Sequence, residues 1–457
     1  MMTFNVFHHP SSYRDPSVFI FEKEGTLYRQ VNISFKEQFD HFIQSGCYKH
    51  LTERGLLVAH EQLHQNLTGD TNYYTTLKPE VVPFISYSYE WSFDMLKDAA
   101  LLTLQLVKES LPFGIILKDA TPYNIQWFRG RLTFIDTLSF EKYEERPWIA
   151  YRQFCETFLG PLLLMHYSKQ SLQQLFLAWP DGIPLSITKS LLPKRSRFSI
   201  HTYLHIHLHG KISAKKQTAP AAPVIFSKEK FLRLISSLET LISSLKLPAQ
   251  QGVWSDYYEE ASSRKDYLEQ KKKIISEWLD QLPGTVADLG ANEGTFSMLA
   301  AAKDKQVIAA DFDPWCINKL YNDIKATNQK NIQPLVLDLS NPSPANGVNN
   351  EERSSFTSRT NVDTLLALAL IHHLAIGKNI PFEKIASMFS QLGKNLLIEF
   401  VPKEDEKVQL MLSQKKDIYD DYNEASFKSA FSRYFTVTES RQVPDSVRTL
   451  YRMSANK

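Results

Sequence analysis

The sequence predicts an α/β protein with two domains. The second half should hold a mostly parallel, doubly wound sheet closed by an antiparallel C-terminal hairpin, and an α+β domain should precede it. Three observations carry this. At 457 residues the chain is too long for one ordinary domain, and 43% hydrophobic content supports two cores. The stretch VADLGANEGTFS (286–297) reads as strand, glycine turn and helix in that order. Apolar runs then alternate with helical text: VIAADFD (307–313), PLVLDLS (334–340), VDTLLALALIHHL (362–374) and NLLIEFV (395–401). Such alternation builds parallel strands joined by crossover helices, and FTVTESRQVPDSVRTLYRMS supplies the closing hairpin.

Charge and cysteine usage narrow the class. Lys and Arg number 52 against 50 Asp and Glu, a formal charge of +2, so nothing global argues for nucleic acid or a membrane. Cys47, Cys155 and Cys316 are scattered and odd in number, with no C-x-x-C, which fits a reducing compartment. The opening MMTFNVFHHPSSYRDP lacks the basic start and continuous apolar core of a secretion signal. No run of eighteen apolar residues occurs. The expectation is a cytoplasmic protein with neither membrane nor nucleic-acid partners.

In chain order, SVFIFEKEGTLYRQVNI (17–33) reads as two strands around Glu24-Gly25, and VVPFISYSYEW (81–91) as another. Met95, Ala99, Leu102 and Leu106 fall at i, i+4, i+7 and i+11, a buried helix face. GIILKDATPYNIQWFRGRLTFIDTLSF follows, with a tight hairpin from Trp127 to Leu132. Asn124 comes five residues after Asp119, and Asp136 twelve after that, closing the run LTFID. These three resemble the catalytic carboxylate, the metal-binding amide and the metal-binding carboxylate of the protein-kinase fold. The resemblance implies a kinase-like N-terminal domain with a Mg-ATP site. It is partial. Leu117 stands where the catalytic-loop His belongs, Thr137-Leu138 replaces Phe-Gly, and Arg29 is the nearest stand-in for the strand lysine. Two readings stay open: an ATP-binding or phosphotransfer site, and a degenerate scaffold whose Asp and Asn bond locally.

HTYLHIHLHG (201–210) gathers His201, His205, His207 and His209. In a strand the last three would share a face, but alternate positions on one strand surround an ion poorly, so a structural or surface role is expected. KISAKKQTAPAAPVIF is the best linker candidate. The expected divisions are 1–209, a linker over 210–228, a helical lead-in over 229–282, and the main α/β domain over 283–457. Within the lead-in, Phe231, Ile235, Leu238, Ile242 and Leu245 mark a packed helix. Trp254, Tyr257 and Tyr258 either cover a ligand pocket or pack at its rim, and Lys271-Lys272-Lys273 is expected on a solvated helix face.

The second half carries the chemistry. Gly290 and Gly294 let backbone pass close to a ligand, while Asn292 occupies the second glycine position of a dinucleotide site, which disfavours a pyrophosphate. Asp311 closes its strand 21 residues after Gly290, placed to accept from two ribose hydroxyls. Asp338 closes the third strand and could accept from an adenine amino group. The pattern Asp288-x-Gly290-x-x-x-Gly294 resembles motif I of the class I S-adenosylmethionine-dependent methyltransferases, with their Rossmann-like sheet. The resemblance implies that cofactor, its methionine end on the turn with Asp288 behind it, and no metal in this domain.

The acceptor belongs beyond the fourth strand, at His372-His373. The Asn/Asp-Pro-Pro-aromatic text of base methyltransferases is missing there, since Asn341-Pro342 follows the third strand. A small molecule or an oxygen or nitrogen nucleophile is therefore expected over a nucleic-acid base. His372 or His373 serves as general base or caps the next helix, and Glu399 is a second candidate for acceptor contact. The whole order, LKDATPYNIQ and FIDTLSFE, then DLGANEG, LALALIHHL and IEFVPK, resembles bacterial methyltransferase-like proteins grouped with host-specific nodulation proteins. That likeness spans nearly the full chain.

Overall fold

The structure is a computed structural model that describes residues 7–208, 225–248, 265–413 and 415–456. Contacts divide the chain into two compact units: Met1–Pro248 with Ala345–Arg353, and Ala249–Pro344 with Ser354–Lys457. Trp254, Tyr257, Tyr258, His209 and most of the expected linker lie outside the described residues.

The first unit begins with an antiparallel sheet in the order β1 (Phe7–His8), β2 (Val18–Lys23), β3 (Thr26–Asn32), β5 (Tyr73–Pro79), β4 (His60–Leu63). Glu24 and Gly25, at φ 53° and 72°, make the two-residue turn between β2 and β3, which matches the right-handed twist of the strands. Val31, Phe35, Phe39, Leu77 and Leu138 form one apolar cluster at this sheet. The helix Phe93–Ser110 buries Met95, Ala99, Leu102 and Leu106, as its period requires. After it come β6 (Ile115–Leu117) paired with β9 (Phe140–Lys142), and the hairpin β7 (Ile125–Phe128) with β8 (Arg131–Phe134).

Two expectations are corrected here. Residues 81–91 form no strand; the strand lies earlier, at Tyr73–Pro79, and Ser88–Glu90 is a 3-10 turn. The Gln126 side chain takes the place of a neighbouring strand, accepting from Ser86 N at 2.9 Å and donating to Ser86 O at 3.0 Å. The histidine run is helical over 200–208, and among the described residues no group of three or more His, Cys, Asp or Glu side chains is placed to hold a metal ion. The helix Lys228–Ser244, expected in the lead-in, packs on Phe93–Ser110, burying Phe231, Ile235, Leu238 and Ile242. Lys97 Nζ donates to Ser243 O and Leu245 O at its C-terminus.

The short 345–353 segment, expected within the main α/β domain, folds with the first unit. Glu352 accepts from the Tyr13 hydroxyl at 2.9 Å and Arg14 Nη2 at 3.0 Å. The Arg353 guanidinium lies 3.9 Å from the Tyr123 ring centre.

The second unit is a seven-stranded sheet in the order β12 (Ile332–Val336), β11 (Val307–Asp311), β10 (Val286–Leu289), β13 (Val362–Ala367), β14 (Gly393–Phe400), β16 (Thr449–Ala455), β15 (Phe435–Gln442). The first five in that order are parallel, and β16 and β15 close the sheet antiparallel. The β10 register sets Val286 against Val307 on one side and Thr364 on the other, so the C-terminal ends of the central strands gather on one edge. Parallel strands covered by helices on both faces read as continuous apolar runs, and β10 to β13 are buried almost throughout. All three cysteines are buried free thiols. Among the described residues no helix is long and apolar enough to cross a membrane.

Candidate functional site

The glycine turn after β10 is built by backbone geometry. Gly290 and Gly294 have φ of 78° and 86°, and Asn292 sits at 50°. A Cβ on Gly294 would lie 2.5 Å from Leu320 Cδ1, and one on Gly290 3.3 Å from Leu370 Cδ1, so a side chain at either position would have to displace a leucine as well as adopt a strained positive φ. The turn is pinned to the next strand: Gly290 N and Ala291 N donate to Ala310 O at 2.8 and 3.0 Å, and Asn292 N to Asp311 Oδ2 at 2.8 Å. Behind it, Ser297 Oγ donates to Asp288 Oδ2 at 2.7 Å, tying the strand end to the helix Thr295–Ala301. Burial pushes both Asp288 and Asp311 up to about 6.

Asp311 also accepts from Asp313 N at 2.9 Å, which leaves lone pairs on both oxygens for a ligand. Leu337 N donates to Asp311 O at 2.8 Å, bringing Asp338 up beside the end of β11. Asp338 accepts from Ser340 N and Oγ at 2.8 and 2.6 Å and faces Lys378 Nζ at 3.5 Å. Burial alone would raise its carboxyl, but Ser340 and Lys378 outweigh that and hold it below the usual range. Asp288, Gly290, Asn292, Gly294, Asp311 and Asp338 thus stand at the ends of three neighbouring strands. The buried Asn292 Oδ1 accepts no hydrogen bond from the described residues.

Past β13 the chain turns through Ala369 at φ 52°, and His372 leads into the π-helical turn His373–Gly377. The two imidazoles lie with centroids 4.0 Å apart and planes tilted by 40°, and the fully buried His372 Nδ1 has no partner among the described residues. Burial, then the charge of Arg448, lowers His373 to about 4; burial, with His373, Arg448 and Lys271, drives His372 well down. Both rings are neutral at pH 7.

Glu399, the second candidate for acceptor contact, is fully buried and enclosed. Lys271 Nζ donates to its Oε2 at 2.5 Å, the Tyr267 hydroxyl donates to Oε1, and Arg448 Nη1 lies 3.7 Å from Oε1. Arg448 also grips Asp405 through Nε and Nη2 at 2.7 and 2.9 Å. Burial raises the Glu399 carboxyl, yet Lys271 and Arg448 bring it below the ordinary range. Lys271 is therefore buried, whereas the triplet suggested a solvated face. The signal was there: Lys271 falls in step with Ile274, Ile275, Trp278 and Leu279, the buried stripe of the helix Lys265–Asp280. Asp405 and Arg448 carried no comparable local signal, and Leu370, which walls the turn, looked like ordinary strand text.

In the first unit, Asp119, Asn124 and Asp136 do come together. Asn124 Nδ2 donates to Asp119 Oδ2 at 3.0 Å and to Ser139 Oγ at 3.2 Å, and Ser139 Oγ donates to Asp136 Oδ2 at 2.5 Å. Gln153 Nε2 donates to Asp119 Oδ1 at 2.6 Å. Arg29, from β3, is ion-paired with Asp136 Oδ1. Burial and then the charge of Asp136 raise Asp119; Asp136 itself stays low because Arg29, Ser139 and Leu138 N override its burial.

The strand order, the glycine turn and the acidic strand ends together define a class I methyltransferase fold for the second unit. No family model matches the chain. It is 36% identical over 454 residues to the nodulation protein NoeA of Rhizobium meliloti strain 1021, spanning 96% of this chain and 94% of that one. The chain belongs to the NoeA family of nodulation proteins. Among solved structures, it is similar to the magnesium protoporphyrin IX methyltransferase ChlM of Synechocystis PCC 6803 with bound SAH, at 15% identity over 42% of this chain and 87% of that one, TM-score 0.30. The bifunctional kinase-methyltransferase WbdD matches at 17% identity over 47% of this chain and 45% of that one, TM-score 0.30. The N-methyltransferase NodS of Bradyrhizobium japonicum WM9 matches at 13% identity over 43% and 97%, TM-score 0.30. At such scores the fold assignment rests on strand order and register alone.

Proposed function

We propose that the chain is an S-adenosylmethionine-dependent methyltransferase whose acceptor is a small molecule or an oxygen or nitrogen nucleophile, not a nucleic-acid base. The observation that carries this is the 290–294 turn bound through Asn292 N to Asp311, with the buried Asn292 Oδ1 left without a hydrogen-bond donor among the described residues. A buried acceptor without a donor is costly, and the ammonium end of the cofactor supplies N–H groups. The residues present therefore fit that group. When bound, it supplies the reactive methyl on a sulfonium.

In this reading Asp311 holds the ribose hydroxyls, Asp338 the adenine amino group, and the turn with Asp288 the methionine end. His372 and His373 line the acceptor side as neutral hydrogen-bonding groups. A general base works best near the operating pH, and burial that lowers both rings, His373 to about 4, makes them weak bases at neutral pH. Glu399 acts through Lys271 and Arg448 to set the pocket wall. Calorimetric titration of S-adenosylmethionine should give micromolar binding, weakened about 100-fold in Asp311→Ala. A wild type that binds nothing, even with added cell metabolites, would overturn the reading.

The carboxylate cluster supports a second reading, a protein that is bifunctional or ATP-regulated. Asp119, Asn124 and Asp136 would hold Mg-ATP once Arg29 lets go of Asp136. Magnesium-dependent ATP binding that vanishes in Asp136→Ala supports it, and no ATP binding at any magnesium concentration ends it.

A further inference from the structure

Between Asp181 and Glu229 the chain has no acidic residue, yet it carries Lys189, Lys194, Arg195, Arg197, Lys211, Lys215, Lys216 and Lys228. The whole chain is only +2, so this one segment concentrates charge that the remainder offsets. A whole-chain average conceals it.

The described part of the segment is also inverted in polarity. Lys194–Phe198 is a 3-10 turn, and 200–208 is a short helix with π-type turns. Its polar side chains face the first unit's interior. His201 Nδ1 and His205 Nε2 are hydrogen-bonded to Ser237 Oγ at 2.8 and 2.9 Å. His205 Nδ1 is bonded to the Tyr151 hydroxyl at 2.8 Å, and His207 Nε2 to Ser196 Oγ at 2.9 Å. Ile206 is fully buried, but the other apolar side chains face out. Ile200, Tyr203, Leu204 and Leu208, at i, i+3, i+4 and i+8, are 74, 38, 45 and 38% exposed, and Phe198 is 89% exposed. Lys194, Arg195 and Arg197 are exposed beside them.

A surface helix ordinarily turns its apolar stripe to the core, and clustered large apolar side chains at a surface mark a binding face. The flanking cations choose the partner. Nucleic acid would use the charges but has little use for Ile200, Leu204 and Leu208; a bilayer boundary uses both. We propose that residues 194–208 dock on an anionic lipid surface, with Phe198, Ile200, Leu204 and Leu208 entering the headgroup boundary and Lys194, Arg195 and Arg197 meeting lipid phosphates. The face is independent of the methyl-transfer reading.

The test is flotation of the full chain with vesicles of phosphatidylcholine alone, or with about a third phosphatidylglycerol. Binding to the anionic vesicles should be at least about 10-fold tighter and fall with added salt. The triple variant Phe198→Ser, Ile200→Ser, Leu204→Ser and the double variant Lys194→Glu, Arg197→Glu should each weaken it about 10-fold while keeping the wild-type melting temperature, since all five positions are exposed. Four results overturn the proposal: no flotation of the wild type; equal flotation with neutral vesicles; a triple variant that floats like the wild type; or a wild-type dimer in sedimentation that the triple variant dissolves, which would make the occupant a second copy. Single-stranded RNA binding that the charge variant loses and the apolar variant keeps, without flotation, would assign the segment to nucleic acid instead.

Discussion

The glycine turn of the second unit and the carboxylate cluster of the first are assembled by opposite means. The turn draws on one short stretch plus Asp311, and its parts are backbone: positive φ at Gly290, Asn292 and Gly294, and N–H groups aimed at Ala310 O and Asp311. The cluster draws side chains from Arg29, Asp119, Asn124, Asp136, Ser139 and Gln153, bonded to one another. A site made of backbone leaves its mark in sequence as obligatory glycines at fixed spacing. A site made of side chains leaves only Asp and Asn, which serve equally well in ordinary turns. The two also differ in tolerance: a backbone site fails when one Cβ is added, while a side-chain cluster loosens one bond at a time.

The largest effect should come from outside both sites, and it sharpens the contrast. Lys271→Met leaves Glu399 and Arg448 in a fully buried cluster with one cation removed, and should cost about 3–5 kcal/mol in chemical denaturation of the second unit. Adding Glu399→Leu should recover most of that loss, because both buried charges of the pair are then gone. If the double variant is no better than the single, the pair is not the reason for the burial.

Gly294→Ala comes next. The new Cβ meets Leu320 at 2.5 Å, with φ at 86°, so a loss of about 2–3 kcal/mol is expected together with loss of cofactor binding. A variant that keeps both wild-type stability and wild-type affinity would break the claim that backbone geometry makes this site.

Asp288→Asn works in the other direction and depends on pH. The folded carboxyl titrates at about 6, above its unfolded value near 4, so the native state binds more protons than the unfolded chain between those limits. The charged Asp288 therefore subtracts stability as pH rises through that window. Asparagine can still accept from Ser297 Oγ, and should raise stability by about 2 kcal/mol at pH 7 but not at pH 4. Thermal melts at the two pH values distinguish this from a uniform change.

Arg29→Ala should have the smallest effect, about 1–2 kcal/mol, because the Arg29–Asp136 pair is part-buried and Ser139 and Leu138 N still hold the carboxylate. Calorimetry with S-adenosylmethionine should be unchanged. A collapse of the first unit would show that the cluster is a structural keystone, not a loosely held site.

The legibility of each element follows from where its constraints lie. Strands β10 to β14, the hairpin β15–β16 and the turn at Glu24-Gly25 were readable because apolar runs, Asp at strand ends and glycine turns are local features. Residues 81–91 misled, since an aromatic and β-branched run resembles a strand, and only the distant Gln126 shows where its backbone hydrogen bonds go. Lys271 misled because a lysine triplet is usually wet. The enclosure of Glu399 was not legible, because its three partners come from Tyr267, Lys271 and Arg448, far away along the chain.

By itself, the sequence determined the order of strands and helices, the places where only glycine fits, and which residues share a face of each helix. These follow from φ/ψ sterics and from the periods of strand and helix, which act within a few residues. Tertiary structure alone decided which way a polar face turns. Lys271 went inward because Glu399 was there to meet it, and His201 and His205 went inward because Ser237 and Tyr151 were. Burying a polar group is costly unless partners satisfy it, and for these residues the partners lie far away along the chain.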